Sequence, residues 1–314
     1  MINLSSAMSG RFTLVKGKCD ADGNTITAEK VAEFDNIITD QGLNRIGNNG
    51  ISGSTSYVHV GTGNTTPAAT DTGLVTFVAA SNTQQSLSET AQTSTSPYYL
   101  SRARTVRFGA GAAAGNLAEV GVGWAASGTV LFSRALILDG GGSPTAITVL
   151  SDEYLDVTYE LRIYPPAADA TGTITLDGVV YDYTARPSER DVYSNSFSGW
   201  DVSSAGNGSF GIDTAVAYDG IIGAQTASPA GSVDSSSSSA SETYSDSSLQ
   251  AAVTSTWGLN DGNFAGGVRS LRIKTGWALW QLEFAAQSGG GTIPKDNTKT
   301  LSFTVTHSWA RKTL

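Results

Sequence analysis

The chain has 314 residues, a formal net charge of −9, and only 15% charged against 39% hydrophobic residues. That length supports two domains or one large β-domain with a real core. The acidic balance argues against binding nucleic acid through its backbone, which needs a basic surface. A single cysteine, Cys19, excludes an intrachain disulfide framework.

The 36 glycines and an excess of Ser, Thr, Ala and Asn favour strands and tight turns over helices. We therefore expect an all-β fold, built as two β-sandwich-like domains with one short helix. No apolar run reaches the roughly 18 residues of a membrane span, so no membrane insertion is expected. Met1-Ile2-Asn3-Leu4-Ser5-Ser6 lacks the basic start and apolar core of a secretion leader.

Taken in chain order, residues 11–34 read as a hairpin with a polar turn around Asp20-Ala21-Asp22-Gly23-Asn24. Residues 39–47 are the helix candidate. Thr39 or Asp40 caps its start, Leu43 and Ile46 face inward, and Gly47 stops it. Val58-His59-Val60 is a strand entering Gly61-Thr62-Gly63-Asn64. Leu100 to Phe108 alternates as a strand. Ala118 to Trp124 and Thr129 to Leu138 follow, the second nearly continuous in apolar residues, as in a strand buried on both faces.

From Tyr154 to Tyr164, Leu155, Val157, Tyr159, Leu161 and Ile163 share one face. Asp156, Thr158, Glu160 and Arg162 take the other, so one face is built to be buried. Pro165-Pro166 breaks the ladder and sets the expected boundary between a domain at 1–165 and another at 166–314. The second half opens on a hairpin turning at Asp177-Gly178. Residues 231–248 are Ser-rich and read as a mobile loop with too little apolar surface to offset ordering entropy. Val268–Lys274, Trp277–Phe284 and Leu301–Trp309 read as closing strands.

No motif with the spacing of a catalytic or metal centre stands out. His59, His307 and Cys19 are far apart and lack zinc spacing. Asp20 to Ile26 has its glycine in the wrong place for a calcium loop and reads as a turn. Gly61-Thr62-Gly63 lacks the third glycine and the lysine of a phosphate cradle, so its glycines read as turn residues. Asp152, Glu153, Asp156 and Glu160 read as carboxylates of a solvated strand face, although a pair at glycosidase spacing is the rival reading. Neither a cofactor nor an enzymatic activity is expected. Glu119, set among Leu117, Ala118, Val120 and Val122, calls for a cationic partner. Arg102, Arg104, Arg107 and Arg134 are the candidates, and we take Glu119 and Arg134 as a structural ion pair. Trp200, Trp257, Trp277 and Trp280 crowd the second half. Most read as core, with Trp200, Trp257 and Trp277 the candidates for contacts to a host glycan.

Three stretches together resemble virion structural proteins of tailed bacteriophages, in the tail-tip, tail-fibre or receptor-binding group. The first is Phe34 to Ile46, running on through Val58 to Pro67 and Asp71 to Leu74. The second is Gly115 to Gly123 with Leu131 to Leu136, and the third is Leu155 to Arg162. The resemblance implies a β-rich oligomer, often threefold, attached to the tail end and facing the host surface. Its partners would be other copies of the chain and other tail proteins, with a host glycan or protein as a further contact. The chain would be made in the host cytoplasm, released by lysis and located in the virion. No catalytic residues come with the resemblance. A carbohydrate-binding receptor-recognition module and a surface-polysaccharide depolymerase are the alternatives.

Overall fold

The computed structural model describes residues 1–188, 215–234, 239–275 and 278–312. Strands dominate their regular structure, with one helix. The first part of the chain runs β1 (Ile2–Cys19), β2 (Thr25–Asp35), β3 (Ile37–Ile38), α1 (Asp40–Ser54), β4 (Tyr57–Gly61), β5 (Phe77–Ser81) and β6 (Gln84–Gln92). It continues through β7 (Tyr99–Phe108), β8 (Gly115–Leu117), β9 (Glu119–Gly123), β10 (Ser133–Leu136), β11 (Ile147–Val149) and β12 (Tyr154–Tyr164). The second part holds β13 (Ala170–Leu176), β14 (Val179–Pro187), β15 (Ala215–Tyr218), β16 (Val233–Asp234) and β17 (Ser239–Tyr244). It closes with β18 (Gln250–Trp257), β19 (Ser270–Thr275), β20 (Ala278–Ala286) and β21 (Leu301–Arg311).

The chain forms two compact units. The first-half unit takes Met8–Thr90, Ser101–Ile163 and Arg311–Leu314; the second-half unit takes Met1–Ala7, Ala91–Leu100 and Tyr164–Ala310. The crossing at Tyr164 lies beside the Pro165-Pro166 break. Residues 1–7 and 91–100 nevertheless go with the second half, so the units interleave in sequence.

In the first-half unit, one sheet runs β2-β1-β12-β7-β6 and another β3-β10-β9-β4-β5, with β8 and β11 as a separate pair. β12 buries Leu155, Val157, Tyr159, Leu161 and Ile163 and leaves the intervening polar residues half-buried, as its alternation requires. β9 and β10 are buried at every position, and apart from Glu119 and Arg134 their residues are small or apolar. The apolar run at 129–138 contributes only Ser133–Leu136 to the ladder, although Leu131 and Phe132 are also fully buried.

Helix α1 begins as expected. Thr39 lies in extended backbone, and its hydroxyl accepts from Gly42 N at 3.1 Å. It does not stop at Gly47. The helix continues to Ser54 across a kink at Gly50, whose φ of 61° only glycine adopts easily. The Ser54 and Thr55 hydroxyls return to the carbonyls of Gly50 and Ile51, and Ile51 is buried, so packing carries the helix past its glycines.

In the second-half unit, a six-stranded sheet β13-β14-β20-β19-β15-β16 packs on β17-β18-β21 and the first residues of β1. Phe284 and Phe303 stack across the layers at 5.0 Å, and Trp257 meets Phe303 edge-on at 5.9 Å. The β13–β14 turn has φ of 48° at Asp177 and 78° at Gly178, the twist that two-residue hairpins need. The Ser-rich stretch differs in part from the expected loop, and its residues 235–238 lie outside the described ones. Ser239–Tyr244 is strand β17, paired along its length with β18, so ladder hydrogen bonds replace the missing apolar signal.

Candidate functional site

Among the described residues, a buried polar hub lies in the first-half unit. Register places Leu136 opposite Glu119 and Gly121 opposite Arg134, so Glu119 and Arg134 are diagonal neighbours on one sheet face. Arg134 Nη2 lies 2.8 Å and Nε 2.9 Å from Glu119 Oε2. The same guanidinium donates through Nη1 to Asp71 Oδ2 at 2.7 Å and through Nη2 to the Thr65 carbonyl at 2.9 Å.

Glu119 also accepts from three backbone amides: Gly63 N at 3.0 Å, Val75 N at 3.1 Å and Thr76 N at 2.8 Å. Asp71 completes the network by accepting from Ala68 N at 2.9 Å. One carboxylate and one guanidinium thus tie down both ends and the middle of the loop between β4 and β5. Both Glu119 oxygens and all three Arg134 nitrogens find partners, which is what a buried ion pair needs to be tolerated.

Sequence reasoning took Gly61 and Gly63 for turn glycines. Their role is close approach: a Cβ on Gly63 would stand 2.4 Å from Glu119 Oε1, and one on Gly61 2.7 Å from it. The signal was available as a G-x-G beside a strand, but its partner lies far along the chain.

The acidic residues of β12 and its preceding turn do not converge as a pair. Asp152 meets Lys18 Nζ at 2.6 Å, and Glu153 accepts from Leu150 N. Arg107 holds Asp156 with two bonds of 2.7 Å and stacks over the Tyr154 ring at 3.9 Å. Arg162 holds Glu160, which also accepts from Ser101 at 2.5 Å. Burial opposes ionisation of Glu160, and those hydrogen bonds outweigh it, so its pKa falls below the usual value. These are structural pairings, Asp156 and Glu160 on one face of β12 and Asp152 and Glu153 ahead of it.

His59 is fully buried, with Nε2 2.7 Å from the Ala125 carbonyl, and burial lowers its pKa. His307 is 1% exposed, 2.8 Å from the Ser6 hydroxyl and edge-on to Trp280, and burial pushes its pKa down to about 3. Cys19 is partly exposed, 3.9 Å from Arg107 Nη1. Among the described residues, no three His, Cys, Asp or Glu side chains are grouped to hold a metal ion. No helix among them is long and apolar enough to cross a membrane. At Asp20, Oδ1 accepts from Asp22 N and Asn24 N, closing the hairpin turn.

Trp257, a candidate glycan contact, is corrected: it is fully buried in the second-half core. Trp280 is equally buried. Trp200 and Trp277 lie outside the described residues.

The three stretches singled out by resemblance are joined physically. Asn36 of the first donates to the Tyr159 hydroxyl of the third at 3.4 Å, and Tyr159 packs edge-on to Phe132 of the second. Gly63, Thr65 and Asp71 of the first meet Glu119 and Arg134 of the second in the hub. Compared with known proteins, the chain matches no protein-family profile, no curated protein and no solved structure.

Proposed function

We propose that the protein is a structural component of a tailed-phage tail, at the tip, baseplate or fibre, located in the virion. Its first-half unit would bind other tail proteins and its second-half unit would be presented toward the host. One observation carries the reading. The segments that resemble phage tail proteins, scattered over residues 34–162, are pinned to one another by the Glu119–Arg134–Asp71 hub and by Tyr159. A hub of this kind, with both Glu119 oxygens and every Arg134 guanidinium nitrogen hydrogen-bonded, rigidifies a loop on a β-scaffold; it offers no reacting atom to a substrate. A rigid, β-rich body with a fixed loop suits a particle component that must hold its shape against neighbours.

The test is direct. Antibody raised against the purified chain should label one end of the tail on intact particles, and mass spectrometry of purified tails should recover its peptides. Unlabelled tails that contain none of its peptides would end the proposal.

A further inference from the structure

We infer that the β6 edge of the first-half unit is a self-association surface, and that its occupant is a second copy of this chain, strand against strand. The inference rests on the assembly reading above and names its partner and its surface.

The argument starts from charge. Between Ile46 and Thr90 the sequence has only two charged residues, Asp71 and Glu89, in a chain of net charge −9. Both are paired inward: Asp71 with Arg134 at 2.7 Å, and Glu89 with Arg102 at 3.6 Å, where both side chains are nearly buried. The segment's own exposed side chains are therefore neutral, and the charge beside them is Arg104 of β7, which donates to Gln84 Oε1 at 3.1 Å and to the Asn82 carbonyl at 3.3 Å. Two acidic copies repel one another wherever their charged faces meet, and they meet here without that penalty.

The backbone points the same way. β6 ends one sheet of the unit and β5 ends the other among the described residues, leaving the outer backbone groups of each strand without a ladder partner. Monomeric proteins blunt such edges with charge, proline or very short strands. The opposite edges of this unit are blunted in those ways: β2 carries Glu29, Lys30, Glu33 and Asp35, and β3 is two residues long. β6 runs for nine residues without lysine or proline, and Gln84–Ser88 are exposed on both faces. Leu87 of β6 is 41% exposed, and at the β5 edge Val75 is 54%, Phe77 40% and Val78 40% exposed.

The side chains favour an identical partner. Gln85, Ser86 and Ser88 each both donate and accept hydrogen bonds, and Gln84, whose Oε1 accepts from Arg104, keeps its amide nitrogen to donate, so an antiparallel copy offers matches, with Leu87 supplying apolar area. A partner selected by opposite charge would find only Arg104 of β7, whose guanidinium already donates to Gln84, Asn82, Thr55 and Ser56 of its own chain.

The experiment is sedimentation equilibrium of the full chain. The wild type should sediment as an oligomer of the 32.4 kDa protomer. Leu87→Lys, whose side chain is already half in water, should keep the far-UV spectrum and melting temperature while weakening association at least about tenfold. A monomeric wild type, or an oligomer indifferent to Leu87→Lys, overturns the inference. If Leu87→Lys fails to fold, Ser86→Cys in a Cys19→Ser background takes its place; oxidation must then trap a disulfide-linked dimer, and a monomer band overturns it. Labelled tails with a monomeric chain would leave the tail reading standing and remove this one. A Leu87-dependent oligomer absent from tails would do the reverse.

Discussion

Glu119 and Arg134 stand one diagonal step apart on neighbouring antiparallel strands, with charged groups 2.8 Å apart and neither side chain more than 1% exposed. Removing one partner of such a pair strands a buried charge. Arg134→Met should therefore cost about 3–5 kcal/mol in a guanidinium melt. Glu119→Gln keeps the carboxamide oxygen for the backbone amides, so the double variant should cost less than the sum of the singles, by about 1–3 kcal/mol. Additive losses would mean that the pair is not coupled.

Gly63 gives a separate reading of the same hub. Any Cβ there would sit 2.4 Å from Glu119 Oε1 and 2.6 Å from Val75 Cβ, so Gly63→Ala must push the loop off the carboxylate. Destabilisation of about 2–4 kcal/mol is expected, with faster amide exchange at Val75 and Thr76. Gly140→Ala is the control, because nothing lies within 4 Å of its added Cβ. It should change stability by less than about 0.5 kcal/mol.

The contrast between β12 and β17 explains how much of this fold was legible beforehand. β12 announces itself because Leu155 to Ile163 alternate apolar with polar residues, and the buried face follows. β17, Ser-Ala-Ser-Glu-Thr-Tyr, has no apolar alternation, and its place comes from the β18 ladder, which no local pattern encodes. Helix α1 shows the same division. Its start is written in Thr39, whereas its end at Ser54 depends on the burial of Ile51 and on Gly50 adopting a kink. Within the hub, Glu119 was conspicuous as an acid among apolar neighbours. The contributions of Asp71, Thr65 and Gly63 arise from a loop folding back, and tertiary contacts of that kind leave no sequence period.

His307 should make the protein acid-sensitive well above the carboxylate range. Burial favours the neutral imidazole, so its native pKa of about 3 lies far below the 6.5 of a solvated histidine. Between those values the unfolded chain binds a proton that the native chain does not. Stability is therefore fully present above pH 6.5 and declines as pH falls toward 3. His59 is shifted in the same direction and contributes to the same slope. Melts between pH 7 and 5 should show this decline, and His307→Gln, which can still bond Ser6, should flatten it. A His307→Gln slope equal to wild type would place the sensitivity elsewhere.

Trp257 separates a core role from a glycan role. It is fully buried and packs edge-on to Phe303. Trp257→Ala should cost about 3–5 kcal/mol and weaken any glycan binding only through unfolding. Trp257→Phe should retain most of the stability. If Trp257→Phe folds like wild type but loses binding on a glycan array, the buried assignment fails.

Thr39 is a helix cap that also fastens the helix to the sheet. Its hydroxyl accepts from Gly42 N at 3.1 Å, while its own proton goes to the Leu131 carbonyl, with Phe132 O at 3.2 Å. The residue is fully buried, so its loss leaves an amide and a carbonyl unsatisfied together. Thr39→Ala should cost about 2 kcal/mol, the upper end for a cap, and Thr39→Ser should recover most of it. Gly42 tests the same contact from the helix side, since a Cβ there would stand 2.4 Å from the Phe132 carbonyl oxygen. Gly42→Ala raises intrinsic helix propensity, so a free helix would gain up to about 1 kcal/mol. Here the backbone contact decides the sign, and a net loss of stability in the melt is the expected result; a gain would show that the helix can shift away from Phe132.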